Sequence, residues 1–289
     1  MTASAITPRP PRQRSYVPKF LLALPAWIWW VAFFVVPVAL VIVSSFGEKI
    51  ELSAGRVSLD DPSLDRYSEA LDGPFFDVLK QGMRTSITGT LLCLVIGFPI
   101  AYFLAVKVKR FKGLLLALLM IPFFTNFLIR TVAWRIVLAP RGFVSNTLID
   151  WGWRDGGLAI LDTRMAVQIG VVYNYLPLMI FPLFVALDRL DPALREASKD
   201  LGAGRLRTFL QVTLPLAMPG IVAGLILVFV PLSGDYITAA VLGGASGNMP
   251  GALVASQFLQ SQDPASGAAY AVVLIASILV ILAAFAIVG

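Results

Sequence analysis

The side chains able to do chemistry in this chain are the few charged and hydrogen-bonding residues set inside long apolar runs. Asp235, preceded by Pro231 and Gly234 and followed by Tyr236, is an acidic residue placed well within such a run. A carboxylate beside an aromatic face attracts ammonium groups where water is scarce, so Asp235 and Tyr236 are candidates to line a path for a cation. The same carboxylate would also serve to neutralise Arg130, the deeper of two arginines in another apolar run, or to cap a broken helix. Arg135 lies nearer the end of that run, where its side chain can reach the interface. Tyr173, Asn174 and Tyr175 could line the path with polar edges or hold helices together by hydrogen bonds. Covalent catalysis finds little to work with. There is no histidine, which excludes every scheme that needs an imidazole, and the single cysteine, Cys93, lies in an apolar run where a reactive thiol is poorly placed. No G-x-x-x-x-G-K-[ST] stretch occurs, nor any Gly-Lys pair, so the chain cannot hold ATP in the P-loop manner.

The elements that must position these residues are membrane spans. With 58% hydrophobic residues and a mean hydropathy of +0.82, lipid is the solvent for this chain. Phe20 to Phe46 runs without a charge behind a basic, proline-rich segment over residues 1–19. It is too long for a signal peptide core and reads as an uncleaved first span. Further spans are expected over about 81–106, 114–138, 164–187, 214–242 and from 268 to the end. The loop over residues 47–80 carries eight acidic and four basic residues and belongs outside, whereas Lys107, Lys109, Arg110 and Lys112 mark a cytosolic turn. Trp151 and Trp153, in the loop over 139–162, look like interfacial anchors. The three inner segments hold 13 of the 23 Lys and Arg residues. The expectation is an all-α polytopic membrane protein of six transmembrane helices, multi-pass in a bacterial inner membrane, with N- and C-termini in the cytosol. The net charge of +6 follows from this topology, and nucleic acid is not an expected partner; membrane lipid is.

One stretch is written differently. Residues 188–215, DRLDPALREASKDLGAGRLRTFLQVTLP, form a charged island between two oily runs. Asp191 suits an N-cap and Pro192 the first helical position, where a missing N–H costs nothing. Leu190, Leu194, Ala197 and Leu201 recur on one narrow stripe, while Arg195, Glu196, Lys199 and Asp200 point elsewhere. Gly202 supplies a left-handed stop. Residues 205–211 are expected to form another short helix, and Pro215 to sit in the first turn of the next span.

The spacing Glu196-Ala197-Ser198, three residues, Gly202, nine residues, Val212-Thr213-Leu214-Pro215 resembles the EAA loop of ABC importer permeases, with Ser198 in place of the second alanine and Val212 in place of isoleucine. Further runs, Phe127-Leu128-Ile129-Arg130, Tyr175-Leu176-Pro177, Asp200-Leu201-Gly202-Ala203, Val228-Phe229-Val230-Pro231 and Leu242-Gly243-Gly244, are similar to those of spermidine/putrescine importer permeases. The resemblance covers about residues 80–289 and implies the type I importer permease fold, also called MetI-like, with residues 188–215 as the coupling loop. It implies that Glu196, Ala197, Ser198, Gly202, Leu194 and Leu201 meet an ATPase, and that ATP and magnesium belong to that partner, leaving this chain without a cofactor or metal of its own. It further implies an ATPase dimer, a second permease subunit and a periplasmic or lipid-anchored binding protein as partners. Permeases for iron, thiamine or sulfate share part of this pattern. An ion-coupled carrier, which commonly shows an internal repeat, and a membrane-embedded enzyme are the rival classes.

Overall fold

In lipid, backbone N–H and C=O groups find partners only within helices or closed barrels, and the apolar runs of this chain take the helical solution. The computed structural model describes residues 19–50, 57–153, 155–244 and 249–288. Apart from Lys19, the basic segment expected over residues 1–19 lies outside the described residues. In chain order, α1 (Lys19–Trp30) and α2 (Val36–Ser44) are joined by a π-helical turn, and α3 (Asp65–Asp72) leads into the long α4 (Pro74–Tyr102). Then come α5 (Lys112–Met120), α6 (Phe127–Val137), α7 (Phe143–Asp150), α8 (Arg164–Asp188), α9 (Pro192–Asp200) and α10 (Arg205–Thr208). The chain closes with α11 (Leu214–Ser233), α12 (Tyr236–Leu242), α13 (Pro250–Leu259) and α14 (Pro264–Val288). The one departure from helix among the described residues is a two-residue antiparallel pair, β1 (Glu48–Lys49) with β2 (Val57–Ser58).

Among the described residues, five helices are long and apolar enough to cross a membrane: Ala23–Ser44, Pro74–Lys107, Arg164–Asp188, Arg205–Ser233 and Pro264–Ile287. Lys112–Phe124 and Phe127–Val137, which meet at 88°, make a sixth when the bent pair is counted as one span. Two of the six expected spans are not the continuous helices that run length predicts. The third, expected unbroken over 114–138, bends at Thr125–Asn126, because the Asn126 side chain accepts from the Leu128 and Ile129 amides and starts a new helix there. The fifth, expected over 214–242, ends at Ser233, and Asp235 restarts the chain as α12. The second span starts earlier than expected, at Pro74. Residues 205–211 are not a separate helix, since α10 continues through a π-helical turn into α11. The loops also hold more order than their polarity foretells, with α7 in one and α13 in another.

The core is the packing of α8 against α4 and α11, with Met179, Ile180 and Leu183 at its centre. Small residues permit the approach. A Cβ on Gly220 would meet the Ala186 Cβ and, at 2.9 Å, the Pro182 carbonyl, and one on Gly224 would meet the Met179 sulfur at 2.7 Å. The Gly220-x-x-x-Gly224 spacing puts both on one face of α11, the arrangement by which membrane helices pack closely. Gly220→Leu is therefore expected to destabilise the bundle by about 1–3 kcal/mol, read as a lower melting temperature of the detergent-purified protein. Gly113→Leu, where a Cβ meets nothing within 4 Å, is expected to leave that temperature unchanged. On the loop-rich side, Arg66 fastens α3 to the start of α14. Its Nε donates to the Gly47 carbonyl at 3.1 Å, and its Nη1 donates to Ser266 Oγ at 2.5 Å and to Asp263 at 3.3 Å.

Candidate functional site

Both bends bring polar side chains to the same depth. Asp235 caps α12 in the ordinary way, its Oδ1 accepting from the Thr238 amide at 3.0 Å. Its other oxygen accepts from Thr238 Oγ1 at 2.6 Å. On α6, Arg130 turns back toward the bend and donates from Nη1 to the Pro122 and Phe123 carbonyls at 2.7 and 3.1 Å. These carbonyls stand at the end of the first half-helix, where the Pro122 carbonyl also accepts from the Thr125 amide at 3.3 Å and a cation is favoured. The aromatic faces of Phe123 and Phe127 flank the guanidinium at 5.8 and 5.5 Å.

Asn174, on α8, joins the two places. Arg130 Nε donates to Asn174 Oδ1 at 2.7 Å, and Asn174 Nδ2 donates to Thr131 Oγ1 at 3.2 Å and to Thr238 Oγ1 at 3.3 Å. From guanidinium to carboxylate, then, three hydrogen bonds run in sequence through Asn174 and Thr238, every donor pointing the same way. Such a chain polarises each bond in the direction of the next. This relay of hydrogen bonds connects Arg130 with Asp235, while among the described residues no ion pair joins them. Of the three readings of Asp235 open from the sequence, the cap is what the geometry displays, and direct neutralisation of Arg130 is not.

The remaining candidates divide. Tyr175 is buried, with its hydroxyl 3.5 Å from the Pro231 carbonyl and facing Asp235. Tyr173 is partly exposed and packs edge-on against Trp134. With Arg130 and Pro177 it borders a cavity of 120 Å3. Tyr236 is exposed beside the buried Asp235, which is 7% exposed. Sequence reasoning missed Thr131 and Thr238. Thr238 carried a signal, since it stands three residues beyond a capping Asp that itself follows a glycine; Thr131 carried none.

The α9 part of the charged island folds as its residues predict. Asp191 Oδ1 accepts from the Ala193 amide at 2.9 Å, Pro192 opens α9, and Gly202 has φ of +81°. Ser198 and Thr208 share a hydrogen bond of 3.1 Å that pins α9 to α10. The apolar stripe of α9 faces outward: Leu194 is 47% and Leu201 89% exposed, with Ala197 also at the surface, whereas Glu196 borders a pocket on the other flank. Trp151 and Trp153 are exposed, as interfacial anchors require. A half-buried ion pair, Lys112 Nζ to Asp188 Oδ1 at 2.6 Å, ties the preceding turn to the end of α8.

Comparison with known proteins agrees with this architecture. The family model described as "Binding-protein-dependent transport system inner membrane component" matches residues 93–289. The spermidine/putrescine transport system permease protein PotB of Escherichia coli (strain K12) is 38% identical over 246 residues, 85% of this chain and 88% of the relative. The protein of that name in Haemophilus influenzae is 35% identical over 244 residues, 84% of each. Among solved structures, a bacterial ABC transporter involved in the import of the acidic polysaccharide alginate shares the fold, with a TM-score of 0.68 at 18% identity over 92% of this chain and 93% of that one. A second alginate transporter structure, in complex with its oligosaccharide-bound periplasmic protein, gives 0.66 at 18% identity and covers 92% of each chain.

Proposed function

The chain belongs to the family of binding-protein-dependent transport system inner membrane components, and on that premise we propose that it is one membrane-spanning half of an ATP-driven importer of polyamines. Members of this family are transport subunits, not enzymes. The observation that carries the reading is α9: a capped helix at the end of an apolar bundle whose leucines face outward, in a chain without a P-loop stretch. Exposed apolar side chains on an otherwise polar helix are supported when a partner covers them. The partner of matching role is an ATPase dimer, which brings ATP and magnesium. A second permease chain and a periplasmic or lipid-anchored binding protein complete the assembly, with N- and C-termini of this chain cytosolic. For the cargo, the support is the 38% identity to permeases named for spermidine and putrescine.

Mechanically, closure of the ATPase pair draws the docked α9 helices together and opens the spans toward the binding protein. Glu196, Ala197, Ser198, Leu194 and Leu201 make up the coupling element, which pivots at Gly202. Tyr236 and Tyr173 offer aromatic faces to a passing polycation, with the charge of Asp235 behind Tyr236, and Tyr175 orients that carboxylate. Arg130 repels a polycation and serves instead as the brace of the bent span. Residues 20–289 work as one permease domain, with a core over about 80–289.

Uptake of radiolabelled spermidine by cells carrying the whole transporter is expected to stop on ATP depletion and to survive collapse of the ion gradients; the opposite pattern would overturn the reading. Asp235→Asn isolates the charge, because Asn caps helices about as well as Asp. It is expected to lower uptake about ten-fold, the equivalent of roughly 1.4 kcal/mol, with assembly intact. Unchanged uptake would remove Asp235 from the path.

A further inference from the structure

Between the inner flank of α9, the end of α4 and the start of α10 lies a pocket of 310 Å3. Lys107, Arg195, Lys199 and Arg205 line it, opposed by the single carboxylate of Glu196. None of these five takes part in an ion pair among the described residues, although other charged residues of the chain do. Four cations converging on one concavity repel each other, and the repulsion is relieved when an anion enters. Thr213 also lines the pocket and is only 1% exposed, adding a hydroxyl to the donors around it. Tyr102 and Phe209, packed edge-on at 6.2 Å, supply an apolar wall beside the charges.

We propose that this pocket is a binding site for a phosphate-bearing group, either the headgroup of an anionic phospholipid or a free phosphate anion. Guanidinium and ammonium donors from three separate elements, with a hydroxyl at the base, match the several acceptor oxygens of a phosphate. The occupant would bridge α9 to the end of α4 and to α10, so that the lever moves with the spans and not independently of them. The site does not depend on which solute is carried.

The test uses the detergent-purified full chain. Native mass spectrometry would compare retention of phosphatidylglycerol with that of phosphatidylcholine, and equilibrium dialysis would follow radiolabelled inorganic phosphate. Preferential retention of phosphatidylglycerol without phosphate binding assigns the site to lipid. Saturable phosphate binding below about 1 mM, displaced by neither lipid, assigns it to a soluble anion. In both cases Lys107→Gln with Arg205→Gln is expected to weaken binding at least ten-fold, and Lys107→Arg with Arg205→Lys to preserve it. The two lipids retained equally together with no saturable phosphate binding, or glutamine variants that bind as the parent does, would overturn the proposal. A matched melting temperature between the two double variants separates loss of the site from loss of the fold.

Discussion

Asn174→Leu is expected to destabilise the protein by about 3 kcal/mol, a large effect for one nearly isosteric exchange. Asn174 is 1% exposed and makes three hydrogen bonds, one of them to a guanidinium. Leucine fills the volume but leaves Arg130 Nε unpaired and removes the donor shared by Thr131 and Thr238. An unsatisfied charged donor in this setting costs more than the bond itself contributed, because water cannot replace what is lost. Interhelical hydrogen bonds between neutral groups in membranes average well below this, about 0.6 kcal/mol, so the size of the effect reports the charge. A double-mutant cycle makes that explicit. Arg130→Met alone is costly for the same reason, but Arg130→Met with Asn174→Leu deletes both partners and is expected to recover about 1–2 kcal/mol relative to the sum of the single changes. Thermal unfolding in detergent supplies the numbers. Strict additivity would mean that the relay from Arg130 to Asp235 is a coincidence of placement.

The second large effect concerns α9 and has the opposite character, since it is silent in the isolated chain. Leu201→Asp is expected to leave the melting temperature unchanged, because the residue is 89% exposed and surface exchanges typically cost within about 0.5 kcal/mol. In the assembled transporter the same exchange is expected to weaken capture of the ATPase roughly thirty-fold or more, since a charge would be forced into an apolar contact worth about 2 kcal/mol. Gly202→Val is its companion. At φ of +81° a β-branched residue is strained, yet a Cβ there meets nothing within 4 Å, so the penalty falls on the backbone of the turn after α9 alone. ATP-driven uptake is expected to drop at least ten-fold while the ATPase stays bound. Should Leu201→Asp co-purify with as much ATPase as the parent, the outward stripe of α9 is not the docking surface.

These two sites show what was legible in the residues and what was not. The α9 helix could be read because its instructions are local: Asp191, Pro192 and Gly202 lie within a dozen positions and each acts on its own neighbourhood. The bends were harder, although Asn126, Gly234 and Asp235 are all visible. Run length spoke for unbroken spans, whereas a short polar cap within the run decided otherwise. The partners of Arg130 were not readable at all. Asn174 is 44 positions away, and the carbonyls of Pro122 and Phe123 become acceptors only once the chain has bent. Asp235 was recognised as an embedded charge, but its compensation by Thr238 depended on a helix start that hydropathy conceals.

The right-angled third crossing has a consequence for how the protein is made. By helix rise its two arms measure roughly 20 and 16 Å, each short of the roughly 30 Å of hydrocarbon to be traversed. The kink also leaves peptide groups and a guanidinium at a depth where lipid offers them nothing, and the residue that completes their bonding sits on α8, which the ribosome delivers later. The first half of the polypeptide therefore carries an Arg130 Nε whose acceptor, Asn174, is synthesised later, and the bent segment is expected to settle in the bilayer only once α8 has followed it.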